Sequence, residues 1–129
     1  MPPGQFTDVP CPGLYTDFIE DLKTRGITAG CGDGSTYCPD ANVLRQEMAV
    51  FLLRTLLGGS YIPPACTPPG IFGDTPCPGQ YTDFVEDLKT RGITAGCHGG
   101  VDFCPTDPVT RQEMAAFLSL TFSLVLYGP

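Results

Sequence analysis

The feature that most constrains this chain is an internal repeat. A shift of 66 positions lays Phe6–Leu52 on Phe72–Leu118 without a gap, with about two thirds of the positions identical. Cys-Pro-Gly recurs at 11–13 and 77–79, Arg-Gln-Glu-Met-Ala at 45–49 and 111–115, and twelve consecutive residues at 20–31 and 86–97. A unit this small cannot build a large core alone, so repeats of this kind stack on one another or are covalently stapled. The Gly- and Pro-rich stretch between the copies reads as a linker. The expected organisation is therefore module one over 1–58, a linker over 59–70, and module two over 71–129 with an apolar C-terminal tail.

Within a module the periodicity predicts two helices. Leu14, Phe18, Ile19 and Leu22 form a helical stripe over Leu14–Arg25, with Lys23 and Arg25 in the last turn and Gly26 as the stop. Its twin runs over Gln80–Arg91 and stops at Gly92. A second helix is expected from near Val43 and near Val109. Thr110 and Glu113 have the spacing of a capping box; Leu44 replaces that threonine in module one, where the cap is lost or Asn42 supplies it one turn earlier. Met48, Phe51, Leu52 and Thr55, and likewise Met114, Phe117 and Leu118, should face the core. The fold class this implies is mainly α: two tandem helix-loop-helix modules with long loops and little or no β-sheet. Apolar residues at 118, 120, 122, 124 and 126 also permit a strand, but a helix as far as about Leu124, its greasy end packed on module one, is the favoured reading.

Charge and composition exclude several classes. Seven Lys and Arg against fourteen Asp and Glu give a net charge of −7, with no basic run to neutralise phosphates, so nucleic acid is not an expected partner. A hydrophobic content of 42% is too high for a disordered acidic tail. No apolar run reaches the roughly 18–20 residues of a membrane span; Ala115–Tyr127 comes nearest and is broken by Ser119, Thr121 and Ser123. The Met-Pro-Pro-Gly start has no signal-peptide pattern, so a secreted form has lost its signal or carries it upstream.

Seven cysteines in 129 residues point to an oxidising compartment. Cys31 and Cys38 flank a six-residue loop, as do Cys97 and Cys104, and each pair is expected to close its inter-helix loop as a disulfide. Cys66 and Cys77 should tie the linker to the start of module two. Cys11 is left over: by the 66-residue period its partner would lie just before Met1. The chain is then expected to be a window of a longer array, or a subunit whose neighbour completes Cys11 in an intermolecular bond. Zinc is a weaker reading of the cysteines, because there is no CxxC pair and the single histidine, His98, corresponds to Gly32.

Several motifs occur in a recognisable order. Phe-Thr-Asp-Val-Pro opens module one at 6–10, Gly-Ile-Thr-Ala-Gly and a Gly- and Asp-containing loop with Pro follow the first helix, and Val-Thr-Arg-Gln-Glu-Met-Ala starts the last helix at 109–115. The pattern resembles the S-layer homology (SLH) domain over nearly all of both modules. The resemblance implies an extracellular or cell-surface prokaryotic module that anchors proteins to cell-wall polysaccharide or builds surface layers. It also implies glycan contact by Arg45 and Arg111, which match the family's motif arginine; the alternative is that each pairs with a carboxylate on its own helix. The chain departs from the pattern in having two copies rather than three, no Trp, with Leu14 and Gln80 at the usual Trp position, and added cysteines.

Asp8 and Asp74 recur between modules, whereas Asp33 and Asp40 in one loop and Asp102 and Asp107 in the other do not. These six aspartates are candidate calcium ligands, since calcium takes several carboxylate and carbonyl oxygens; turn formation and solvated faces are the plainer alternatives. No enzyme is expected: His98 has no equivalent in module one, no nucleotide-binding glycine motif is present, and paired cysteines cannot serve as nucleophiles. The expected function is a structural one, a homopolymeric subunit of an extracellular filament or layer stabilised by disulfides and calcium. A cell-wall glycan anchor is the alternative.

Overall fold

The computed structural model describes residues 4–124. It contains four α-helices, α1 (Thr16–Thr24), α2 (Arg45–Leu57), α3 (Thr82–Thr90) and α4 (Arg111–Thr121), with a 3-10 turn at His98–Gly100. Among the described residues, β-structure is limited to isolated bridges, Cys31 to Thr36, Cys97 to Asp102 and Leu44 to Pro108. The protein is thus mainly α, with long disulfide-stapled loops and no sheet among the described residues.

Local chemistry sets the helix ends. The first helix of each module starts at a threonine rather than two residues earlier, because Cys-Pro-Gly folds back over its start: Thr16 Oγ1 donates to the Pro10 carbonyl at 2.7 Å, and Thr82 Oγ1 to Pro76 at 2.8 Å. Both helices end in the expected glycine stop. Gly26 sits at φ +75°, its N–H bonds the Lys23 carbonyl, and the Ile27 N–H reaches back to Leu22. Gly92 and Ile93 repeat this on Lys89 and Leu88. The paired backward bonds satisfy carbonyls that a helix end leaves free, and glycine takes the left-handed position without a Cβ clash. At α4 the capping box is complete: Thr110 Oγ1 accepts the Glu113 N–H and Glu113 Oε1 accepts the Thr110 N–H. At α2 only half of it remains. Glu47 accepts the Leu44 N–H at 2.8 Å, while leucine has no oxygen to return the bond and Asn42 does not stand in.

The main core crosses the linker. α2 packs against both α3 and α4, and Met48, Ala49, Leu52 and Leu53 from α2 meet Phe72, Val85, Leu88, Ile93, Phe103 and Phe117 from the second module. A separate small cluster, Phe6, Val9 and Ile19 under Tyr37, holds the start of the chain against α1. The packing unit is therefore offset from the sequence repeat. It consists of the last helix of one repeat seated on the whole of the next.

Several expected core positions lie elsewhere. Leu14 is 83% exposed and Phe18 73%, because α1 begins at Thr16 and turns Thr16 and Ile19 inward, and nothing among the described residues covers its outer face. Thr55 points outward and bonds the Phe51 carbonyl one turn back, so Ala49 and Leu53 take the inner face instead. Leu118 is 40% exposed. α4 ends at Thr121, short of Leu124, where Ser123 leaves the helical region at φ +52°. Of the greasy end, Phe122 packs on the core that α2 of module one shares, whereas Leu118, Leu120 and Leu124 stay exposed. The remainder of the tail, 125–129, lies outside the described residues.

Candidate functional site

The cysteines pair as expected: Cys31 with Cys38, Cys66 with Cys77 and Cys97 with Cys104. Cys11 is free and half-buried. Among the described residues, the one trio of candidate metal-ligand atoms lying close together is Cys97, His98 and Cys104. Two of its members are spent on a disulfide and offer no thiolate, and His98 Nδ1 lies 3.1 Å from Asp102 Oδ2 in an exposed pair.

The six candidate calcium aspartates are not brought together into one set. Asp8 uses both carboxylate oxygens on the backbone N–H groups of Tyr37 and Cys38, each at 2.8 Å, and Asp74 does the same with Phe103 and Cys104. They are clamps that pin the opening segment of each module to its stapled loop, which is why these two acids recur while the loop acids vary. The Tyr37 and Cys38 N–H groups hold the Asp8 carboxyl below the ordinary carboxylate range. Asp33 Oδ1 accepts the Ser35 hydroxyl at 2.7 Å and its N–H at 2.9 Å, a tight turn that likewise lowers its pKa. Asp40 and Asp107 are exposed.

The two motif arginines have different surroundings. Arg45 is 5% exposed. Its Nε donates to the Phe103 carbonyl at 2.7 Å and its Nη1 to Glu113 Oε2 at 2.8 Å, and the guanidinium lies over the Phe103 and Phe117 rings, 4.7 and 5.5 Å from their centroids. The carboxylate is on the other module, not on Arg45's own helix. The Thr110 N–H and hydroxyl, and then Arg45, draw the Glu113 carboxyl below its usual range. Around this pair the backbones interlock: the Arg45 N–H bonds the Asp107 carbonyl, the Gln46 N–H the Pro105 carbonyl, and the Val109 N–H the Val43 carbonyl. Arg111, its counterpart, stands exposed at the start of α4.

Two apolar faces remain uncovered among the described residues. Leu14, Tyr15 and Phe18 project from the start of α1, with Tyr15 67% exposed. At α4, Leu118 lines one exposed hollow with Met114 and Ala115, and Leu120 and Leu124 line a second with Ala115 and Ala116. Between the modules a groove of about 490 Å³ is lined by Glu47, Phe51, Arg54, Tyr81 and Phe84, and a second hollow of about 230 Å³ by Tyr37, Pro39, Ala41, Glu47 and Phe51. Sequence periodicity placed Leu14 and Phe18 on an apolar helical stripe and Leu118 on the core face. For Phe18 and Leu118 the signal that marks them as surface is the repeat itself, since their counterparts, Phe84 and Leu52, take their cover from the other module.

No helix among the described residues is long and apolar enough to cross a membrane. No protein-family model matches the chain, and no similar sequence is found among curated proteins.

Proposed function

We propose that this protein is a non-enzymatic structural subunit, of SLH-like design, that assembles with copies of itself into an extracellular filament or surface layer. The observation that carries this reading is the uncovered apolar surface at both ends of the repeat order: Leu14, Tyr15 and Phe18 at α1, and the α4 surface on either side of Ala115, with Leu118 on one side and Leu120 and Leu124 on the other. Exposed apolar clusters of this kind are characteristic of contact surfaces. Three disulfides suit an oxidising exterior. Cys11 is a free thiol available for an intermolecular bond.

Calcium fits as an assembly ligand rather than an internal one. Copies that each carry −7 repel, and a divalent cation shared between exposed acids such as Asp40 and Asp107 relieves that repulsion. Electron microscopy with sedimentation, with calcium and with chelator, tests the proposal. Filaments or sheets that thin out in chelator are the expected result, and a protein that stays monomeric at every concentration overturns it. A second reading, a cell-wall glycan anchor, draws support from the exposed guanidinium of Arg111; pull-down with purified wall polysaccharide and loss of binding in Arg111→Ala is its test.

A further inference from the structure

The packing inside the chain is a template for packing between chains. Arg45, Met48, Ala49 and Leu52 on α2 are all at most 5% exposed because module two covers them. Sixty-six residues on, Arg111, Met114, Ala115 and Leu118 present the same side-chain types in the same order on α4. There, Arg111, Ala115 and Leu118 are exposed and border a shallow depression with Met114.

The receiving side also has an open counterpart. In module two, Arg45 fills the space bounded by Phe103, Phe117, Glu113 and the Pro105 and Asp107 segment. The corresponding residues of module one are Tyr37, Phe51, Glu47, Pro39 and Ala41, and these line the hollow of about 230 Å³. Its hydrogen-bonding groups are free in the same pattern. Glu47 Oε1 is used on the Leu44 N–H, but among the described residues no donor meets Oε2, the counterpart of the oxygen by which Glu113 holds Arg45. The carbonyls of Tyr37, Pro39 and Ala41 accept no hydrogen bond among the described residues, and the N–H groups of Arg111 and Gln112 donate none.

We propose that α4 of one copy docks on module one of a second copy as α2 docks on module two, with Arg111 entering the hollow between Tyr37, Phe51 and Glu47. The proposal rests on the assembly reading above and specifies its contact. Arg111 Nη1 would meet Glu47 Oε2 and Nε the Tyr37 carbonyl. The Arg111 and Gln112 N–H groups would meet the Ala41 and Pro39 carbonyls. Leu118 would cover the inner side of α1 as Leu52 covers α3, and Leu120 would sit over Phe18 where Arg54 lies over the Phe84 ring. The contact is heterologous, so each copy offers one plug and one socket, and association is head to tail.

Charge exchange tests this with the full chain. Arg111→Glu and Glu47→Arg should each weaken self-association at least ten-fold by sedimentation, one placing two carboxylates in the hollow and the other two cations. Mixed in equal amounts, the two variants should associate again, because every junction then joins opposite charges. Leu118→Glu, at a position already exposed, is the control should Glu47→Arg fail to fold, and it should weaken association by a similar factor. If the wild type assembles and Arg111→Glu and Leu118→Glu assemble equally well, the docking mode is wrong while the assembly reading stands. Failure of the correctly folded single variants to recover association on mixing also overturns the docking mode. A wild type that never assembles overturns both.

Discussion

α1 and α3 differ at one position in nine, Ile19 against Val85, yet they live in different environments. In α3 the residues Thr82, Val85, Asp87 and Leu88 are buried; in α1 only Thr16 and Ile19 are. The Asp87–Arg91 pair is shielded and takes a hydrogen bond from the Tyr61 hydroxyl at 2.6 Å on Asp87, whereas the Asp21–Arg25 pair lies in water. The cause is α2 and the linker that follows it, which cover α3; among the described residues nothing equivalent covers α1. Nearly identical segments can thus be core in one place and surface in another, and the neighbour decides which.

The comparison can be broken first at the matched leucines. Leu88→Ala should cost about 3 kcal/mol, as a fully buried leucine leaves a cavity, while Leu22→Ala, half-buried, should cost about 1 kcal/mol; urea unfolding of the two variants measures the gap, and equal losses would mean that α1 is as covered as α3. The arginines come next. Arg45→Ala should lose about 2–3 kcal/mol, because Glu113 keeps a partly buried charge without its partner. Arg111→Ala in the dilute monomer should stay within about 0.5 kcal/mol.

A smaller effect separates the two second helices. Thr110→Ala should cost about 1 kcal/mol, and Leu44→Thr should gain a few tenths to about 1 kcal/mol by restoring the missing half of the capping box. Thermal melts of both variants decide this; no gain at Leu44 would show that its half-buried side chain contributes more by packing than a cap would by hydrogen bonding.

Acid sharpens the comparison last. Glu113, Asp8 and Asp33 all have carboxyls held below their ordinary range, so the folded state binds their protons less readily than the unfolded chain. Their stabilisation is complete above the ordinary carboxylate range and is lost as pH falls through the depressed values. Stability should therefore be flat from neutrality to about pH 5 and decline below about pH 4, and Glu113→Gln should make that decline shallower. A titration of melting temperature reads both; an unchanged slope in Glu113→Gln would remove Glu113 from the account.

The sequence was sufficient wherever the cause is local. The helix stops at Gly26 and Gly92, the capping box at Thr110 and the three short-range disulfides all follow from residues close to one another along the chain. The repeat and its 66-residue period were legible too, and with them the mainly α class. Periodicity failed at Leu14, Phe18 and Leu118, since an apolar stripe shows which face seeks cover and not whether cover is present. The calcium expectation at Asp8 and Asp74 met a different limit: an aspartate near a loop has the same letter whether it binds an ion or two backbone N–H groups.

What the amino-acid order determined by itself is therefore the unit: its helices, its caps, its staples and the fact that it is made twice. Only the tertiary structure decided how the two units meet, α2 across the linker onto α3 and α4, with Arg45 buried between Phe103 and Glu113 of the other module. The reason is physical. Caps and short loops are closed by neighbours in sequence, whereas burial is a relation between distant surfaces. The same Arg-Gln-Glu-Met-Ala is core at 45–49, and at 111–115 its arginine and alanine are left on the surface.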